Sequence, residues 1–387
     1  MWRFYFYVIL LLNLVSCSNE SFSYESFHAR KGVWIAAPKH NELLLSYSNL
    51  KSGVETFAEL GINTIFLCAW ADQKTAFQSS VLFNNSIYPS IKATSFFENT
   101  SYESRTNDPI RDLIDLAHEK NIEVHFWFEY GFMASWGEEP TITNNPILQK
   151  NPNWIALNNE GKTASYNDTD FYYNSYLPGV QDFILELIKE SVSLYPDIDG
   201  IQGDDRLPAA PVNSGYDSWT TNAYLKEYPE KVIPENFMEA HWFKWRTNLL
   251  NQFADRMYTS IKQLGDYTVS FSPNIYPWAL ENLSQDWPTW IEQGNIDLLN
   301  VQCYRRSFKQ YKKVIDEVLS YSDGKLDRSK ISPGIILGVS SNRLIESETL
   351  DSIINYNRSL GIKSETYFYA KWLLEDDYFH SSILSIP

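Results

Sequence analysis

The chain reads as one α/β domain, a (β/α)8 TIM barrel with long βα loops, over residues 30–387. Three observations lead there. Apolar runs of strand length alternate with amphipathic helical stretches through eight steps in about 340 residues, the number such a barrel needs. Several runs end in polar side chains followed by loops, which is where barrels keep their reactive groups. No Gly-rich phosphate loop follows any run, and this removes the main competitor, a doubly wound nucleotide-binding sheet.

Residues 31–38 (KGVWIAAP) read as the first strand, followed by a helix over 52–60 that Gly61 stops. Residues 62–70 (INTIFLCAW) form the second strand, and a polar, aromatic loop runs on to Asn107. Asp108-Pro109 then opens a helix through Lys120, with Asp at the cap and Pro in the first turn. In the third strand, 122–130 (IEVHFWFEY), period two puts Val124, Phe126 and Phe128 on one face and His125, Trp127 and Glu129 on the other. The outer face of a barrel strand packs on helices, so the mixed polar set is expected to point inward, with Glu129 at the C-terminal end.

Residues 132–178 read as a long loop rich in Trp and Tyr, a kind of insertion that usually serves function. A helix over 179–195 leads to the fourth strand, Asp199-Gly200-Ile201-Gln202-Gly203-Asp204. There Gln202 and Asp204 share a face, while Asp205 and Arg206 open a Pro-rich loop. A long helix over 237–264 precedes the strand 267–274 (YTVSFSPN), and a short helix over 286–293 precedes the strand 296–304, where Asn300, Gln302 and Tyr304 share a face. Helix 308–321, strand 331–339, helix 347–360 and strand 364–371 complete the pattern.

Of the 387 residues, 44% are hydrophobic, enough for a large core. The formal net charge of −16 repels nucleic acid and anionic lipid and favours a neutral or cationic substrate. Aromatic residues reach 16%, and flat rings with polar tips suit a sugar groove as well as a core. Cys68 and Cys303 lie in separate apolar strands, so buried free thiols are expected rather than a disulfide framework. No Cys/His spacing calls for a metal, and no motif calls for a cofactor.

At the N-terminus, Arg3, an apolar run over 4–12 and Leu14-Val15-Ser16-Cys17 read as a signal peptide over residues 1–16. The tetrapeptide resembles the lipobox of bacterial lipoproteins. That resemblance implies a diacylglycerol thioether on Cys17, a tether over 17–29 and an extracytoplasmic, lipid-anchored protein of the cell envelope. Losing residues 1–16, whose only charged side chain is Arg3, shifts the formal charge from −16 to −17. The alternative is an ordinary secretory signal with a chance cysteine.

The chemistry is expected at paired carboxylates. Glycoside hydrolysis needs a proton donor for the leaving oxygen and a second carboxylate that acts as nucleophile or as base for water. Asp204 and Glu129 are best placed at strand ends, Asp204 as nucleophile or base and Glu129 as donor, though the roles can be exchanged. Asp205 joins this catalytic set, to orient Arg206 or bind a sugar hydroxyl, and His125, Gln202, Arg206, Asn274, Gln302 and Tyr304 would contact substrate. Trp34 and Trp70 are candidates to stack on a sugar ring. Each has a structural competitor. Asp204 and Asp205 can cap a turn and pair with Arg206; Glu129 can pair with Lys371 or Arg305; His125, Trp34 and Trp70 can be core; Asp286 can cap its helix.

The run Lys31-Gly32-Val33-Trp34, the pair Ala117-His118 before residues 123–128, the block 199–205 and Val301-Gln302-Cys303-Tyr304 resemble the glycosyl-hydrolase-like-10 family of TIM-barrel proteins. The resemblance spans nearly everything from residue 30 to 371. It implies a carbohydrate-active enzyme of the bacterial envelope, some relatives being similar to enzymes that cut peptidoglycan glycan chains. Asp204 is also similar in position to the strand-four nucleophile of α-amylase-type barrels. Where many members carry His and Asn, this chain has Gln202 and Glu129, which places it in a subgroup. Two functions stay open: a glycosidase, or a transglycosylase with the same residues, acting on an envelope or extracellular polysaccharide; and a catalytically silent glycan-binding lipoprotein.

Overall fold

The structure, a computed structural model, describes residues 29–40, 42–340, 343–375 and 377–385. Cys17, the expected signal peptide and nearly all of the expected tether lie outside the described residues. Eight strands form one parallel sheet: β1 Lys31–Ile35, β2 Thr64–Cys68, β3 Glu123–Trp127, β4 Gly200–Asp204, β5 Thr268–Ser272, β6 Leu298–Leu299, β7 Gly334–Ile336 and β8 Glu365–Phe368. They pair in the order β6-β5-β4-β3-β2-β1-β8-β7. Single parallel bridges, Leu299 to Ile331 and Gln302 to Gly334, join the two ends of that series. The ring therefore closes, and the expected barrel is what the chain builds.

Helices α1 Tyr47–Glu59, α2 Pro109–Glu119, α3 Pro178–Leu194, α4 Ala240–Leu264, α5 Trp287–Glu292, α6 Phe308–Ser322 and α7 Ser347–Ser359 return the chain from each strand to the next. Asp108 caps α2 as expected, accepting the backbone N–H groups of Ile110 and Arg111. Helix α1 starts earlier than its apolar spacing suggests because Ser46 caps it through Asn49 N–H. Asp286 does not cap the backbone of α5 with its side chain. Its carboxylate instead accepts from the Thr289 hydroxyl at 2.6 Å and the Asn251 amide at 3.3 Å.

The last strands are shorter than their apolar runs. Cys303 N–H turns back to Val301 C=O at 2.8 Å, so the chain leaves the ladder before the run ends. The long insertion is not bare loop either. Met133–Trp136, Asp170–Tyr172 and Ser165–Tyr166 form a small antiparallel sheet above the third strand, a pairing that short runs interrupted by Asn and Gly do not announce.

Inside the barrel a polar chain crosses from wall to wall. The Trp34 indole N–H donates to Gln202 Oε1 at 2.7 Å, and Gln202 Nε2 donates to Ser270 Oγ and Asn300 Oδ1, both at 3.1 Å. Asn300 Nδ2 donates to Thr366 Oγ1 at 2.9 Å, and Ser332 shares a hydroxyl bond with the same oxygen. All six side chains are buried, so each bond also removes a desolvation penalty. Cys68 and Cys303 are buried free thiols.

Candidate active site

At the C-terminal end of β4 three consecutive side chains converge. Asp204 is 1% exposed; Oδ1 accepts from the Ser272 hydroxyl at 2.8 Å and from Gln302 Nε2 at 3.0 Å, and Oδ2 accepts from Arg206 Nη1 at 3.0 Å. Register explains the first contact, because β4 and β5 pair Asp204 directly with Ser272. The same Arg206 Nη1 donates to Asp205 Oδ1 at 3.0 Å, and Asn274 Nδ2 holds Asp205 Oδ2 at 2.9 Å. One cation thus faces two carboxylates. Burial, then the charge of Asp205, drives the Asp204 carboxyl well above its ordinary range, and Arg206 opposes the shift.

Glu129 stands two residues beyond β3, as its alternation predicted. Burial raises its carboxyl, against the positive charge of Arg206 and a hydrogen bond from the Cys68 thiol beneath it. Neither suggested structural partner reaches it. Lys371 pairs with Glu375 at 3.4 Å, and Arg305 Nη1 donates to the Tyr304 carbonyl at 2.8 Å. Gly131 makes the approach of the two loops possible. Its φ is +47°, and a Cβ there would lie 2.4 Å from the Arg206 carbonyl oxygen, which instead accepts Phe132 N–H at 3.0 Å.

Tyr304 and Asn274 join Asp204, Asp205, Arg206, Gln302 and Glu129 at this mouth. The Tyr304 phenol is pushed well up, by burial first and then by the charges of Asp204, Asp205 and Glu129. Four expected contacts lie elsewhere. Gln202 has its whole amide engaged in the wall-to-wall network beneath the mouth, together with Trp34, which is 1% exposed. His125 sits lower still, buried against Gly200 at the start of β4 with Nε2 3.1 Å from Glu123. Trp70 is buried on the outside of the ring, edge-on to Phe183 of α3, its N–H on the Gly131 carbonyl at 3.0 Å. Strand parity gave the direction of these side chains correctly or left it open, but it does not give depth along the barrel axis.

Other residues complete the site without having been singled out. Asp170, from the small antiparallel sheet, lies 3.9 Å from Arg206 Nε, and burial raises its carboxyl. Gln285 donates to the carbonyls of Asp204 at 3.0 Å and Pro208 at 3.2 Å, fixing the turn that carries the acids. Tyr130 lies under the Arg206 guanidinium at 6.0 Å. Ser270 and Ser272, alternating in one strand, were the sequence signal for Ser272; Asp170 had none. Among the described residues no group of three or more His, Cys, Asp or Glu is placed to hold a metal ion.

Residues 29–351 match the family described as Glycosyl hydrolase-like 10. The chain belongs to that family. This glycosyl hydrolase-like protein is 25% identical over 314 residues to glycosyl hydrolase DigH of Escherichia coli, covering 72% of this chain and 66% of that one. It is also 25% identical over 218 residues to glycosyl hydrolase YngK of Bacillus subtilis, covering 51% of this chain and 39% of that one. The chain therefore spans just under two thirds of the length of the first of these relatives and less of the second. Its fold is similar to that of the PgaB (BpsB) glycoside hydrolase domain of Bordetella bronchiseptica, with a TM-score of 0.60, 11% identity and coverage of 93% of this chain and 99% of that one. The catalytic domain of β-amylase from Paenibacillus polymyxa gives a TM-score of 0.58 at 10% identity, covering 92% and 97%.

Proposed function

We propose that this protein hydrolyses O-glycosidic bonds of an envelope or extracellular polysaccharide. The observation that carries the reading is the cluster of Glu129, Asp204 and Asp205 around Arg206, with burial raising the Glu129 and Asp204 carboxyls. A protonated carboxyl and an ionised one at the same barrel mouth are what glycoside hydrolysis uses. Glu129, partly exposed and raised, acts as proton donor to the leaving oxygen. The β4 pair supplies the second carboxylate: Asp204 is 1% exposed and Asp205 14%, so Asp205 is the member that meets substrate as nucleophile or base for water, and Asp204 supports it from beneath. Arg206 holds that pair in place and balances its charge.

The family and the relatives named glycosyl hydrolase support the reaction class, and a chain carrying −16 supports a substrate that is not a polyanion. Attachment to a membrane through Cys17 is part of the same proposal and rests on the lipobox-like tetrapeptide alone. The deciding experiment measures new reducing ends from purified glycans, including peptide-free peptidoglycan strands and poly-N-acetylglucosamine. Wild type should release them, with Glu129→Gln and Asp205→Asn silent. Binding without release by all three would leave a glycan-binding lipoprotein.

A further inference from the structure

A second concave site lies on the flank of the barrel, between the C-terminal turn of the helix Ser218–Glu227 and the first half of α4. Its volume is about 430 Å³, inside the range of about 300–1,000 Å³ usual for small-ligand sites. One stripe of α4 forms its floor: His241, Lys244, Asn248 and Gln252 recur at helical spacing, with Trp245 and Leu249 beside them. Glu227 and Tyr228 close the other side. Helix α4 follows β4, so its N-terminal end lies toward the C-terminal end of the barrel, the end that carries the carboxylate mouth.

The rings of this groove are held from behind. Trp242 and Trp245 stack at 5.5 Å with planes 13° apart, and Tyr224 packs edge-on to both. Tyr228 stands perpendicular to His241 at 4.5 Å. Polar groups at the rim are aimed by the same rings. The Trp245 N–H donates to Glu227 Oε2 at 2.9 Å, and that bond, followed by one from Tyr228, holds the Glu227 carboxyl below its usual range. The Tyr224 hydroxyl meets His241 Nδ1 at 2.8 Å, which leaves Nε2 directed away from that bond.

We propose that this groove is a second, non-catalytic site that binds a neutral oligosaccharide segment. The half-exposed Tyr228 ring, backed by the buried Tyr224, offers a surface for a sugar's apolar face, and two amides and an oriented carboxylate beside it offer partners for its hydroxyls. The ion-forming side chains at the rim, Glu227 and Lys244, offset each other, so neither an anion nor a cation is selected. The net charge of the whole chain disfavours a polyanion. A concavity of this size suits a short saccharide better than the broad, flat contact of a protein partner. The proposal shares its substrate class with the proposed hydrolase activity and supplies an anchor for a long chain whose other part lies in the mouth.

The test titrates chitohexaose, cellohexaose and maltohexaose into the Glu129→Gln chain, with and without Asn248→Ala plus Gln252→Ala. Both replaced residues are exposed, so the fold should hold, and an unchanged melting temperature checks it. The groove variant should lose one binding event, or bind the responsive probe about tenfold more weakly. Tyr228→Ala should do the same. In a background with Glu129 intact, the groove variants should cut hydrolysis of long polymer and leave that of a short soluble substrate unchanged. Identical titrations for parent and variants with every probe would overturn the proposal. Groove-dependent binding without any turnover by wild type would uphold the groove and defeat the hydrolase reading, whereas turnover with no groove-dependent binding would do the reverse.

Discussion

Gln302 donates its amide N–H to Asp204 Oδ1 at 3.0 Å and to the Ser272 carbonyl at 3.0 Å, so one side chain ties the chain beyond β6 to the ends of both β4 and β5. Its donor steadies the more buried member of the acidic pair. Gln302→Leu should lower kcat about tenfold with little change in KM, because one bond to an ionisable group is worth about 1.5–3 kcal/mol. Gln302→Glu should do worse by placing a like charge beside Asp204. Wild-type kcat in both variants would show that the contact does not matter.

Asp204 should make the fold less stable as pH rises. Its folded-state carboxyl is raised, so the folded chain keeps a proton that the unfolded chain gives up above about pH 4. Between that point and the raised folded value the unfolded state binds fewer protons, and stability therefore falls with pH. Asp204→Asn has no such proton to lose. It should melt higher than wild type at about pH 8 and lose that advantage toward about pH 4. Parallel melting curves across that range would refute the raised carboxyl.

Glu129 and Cys68 give a kinetic test with a defined sign. The thiol hydrogen bond opposes the upward shift of Glu129, so Cys68→Ala should let that carboxyl keep its proton to higher pH. If Glu129 is the donor, the alkaline limb of the kcat/KM profile moves upward in the Cys68 variant. Glu129→Gln should remove that limb and reduce kcat by about 10²–10⁴-fold. A limb that stays where it was in Cys68→Ala would assign the donor role to another group.

Arg206→Met would leave Asp204 and Asp205 facing each other without their shared cation. Breaking a fully buried pair costs about 3–5 kcal/mol, and because the Arg206 side chain is 22% exposed we expect about 2–3 kcal/mol near neutral pH. The loss should shrink in acid as the carboxyls protonate. Urea titrations at two pH values check both statements.

Gly131→Ala should be damaging for a different reason. The backbone is left-handed there and the new methyl would press on the Arg206 carbonyl, for a cost of about 2–3 kcal/mol. Activity should fall further than stability explains, since Glu129 and Arg206 are positioned through that contact. Equal stability and activity with wild type would refute it.

The barrel was legible because its strands are apolar runs separated by helices with ordinary caps, as Asp108 shows. The carboxylates were legible because Asp204 and Glu129 stand where strands end. Depth was not. His125, Gln202 and Trp34 face inward like the site residues, yet β3 and β4 carry inward side chains at several levels and only the uppermost reach the mouth. Nor were contributions from far along the chain. Asp170 reaches Arg206 only because the insertion folds into its own sheet, and that pairing depends on contacts which no local pattern records.

The bonded chain from Trp34 through Gln202 and Asn300 to Thr366 and Ser332 makes the site a blind well. A polymer cannot thread through it and out the far side. Whatever reaches the acids must either drop in by one end or drape across the rim, and the fragments must back out through the opening that admits the next substrate. Departing product and arriving substrate would then share a single doorway.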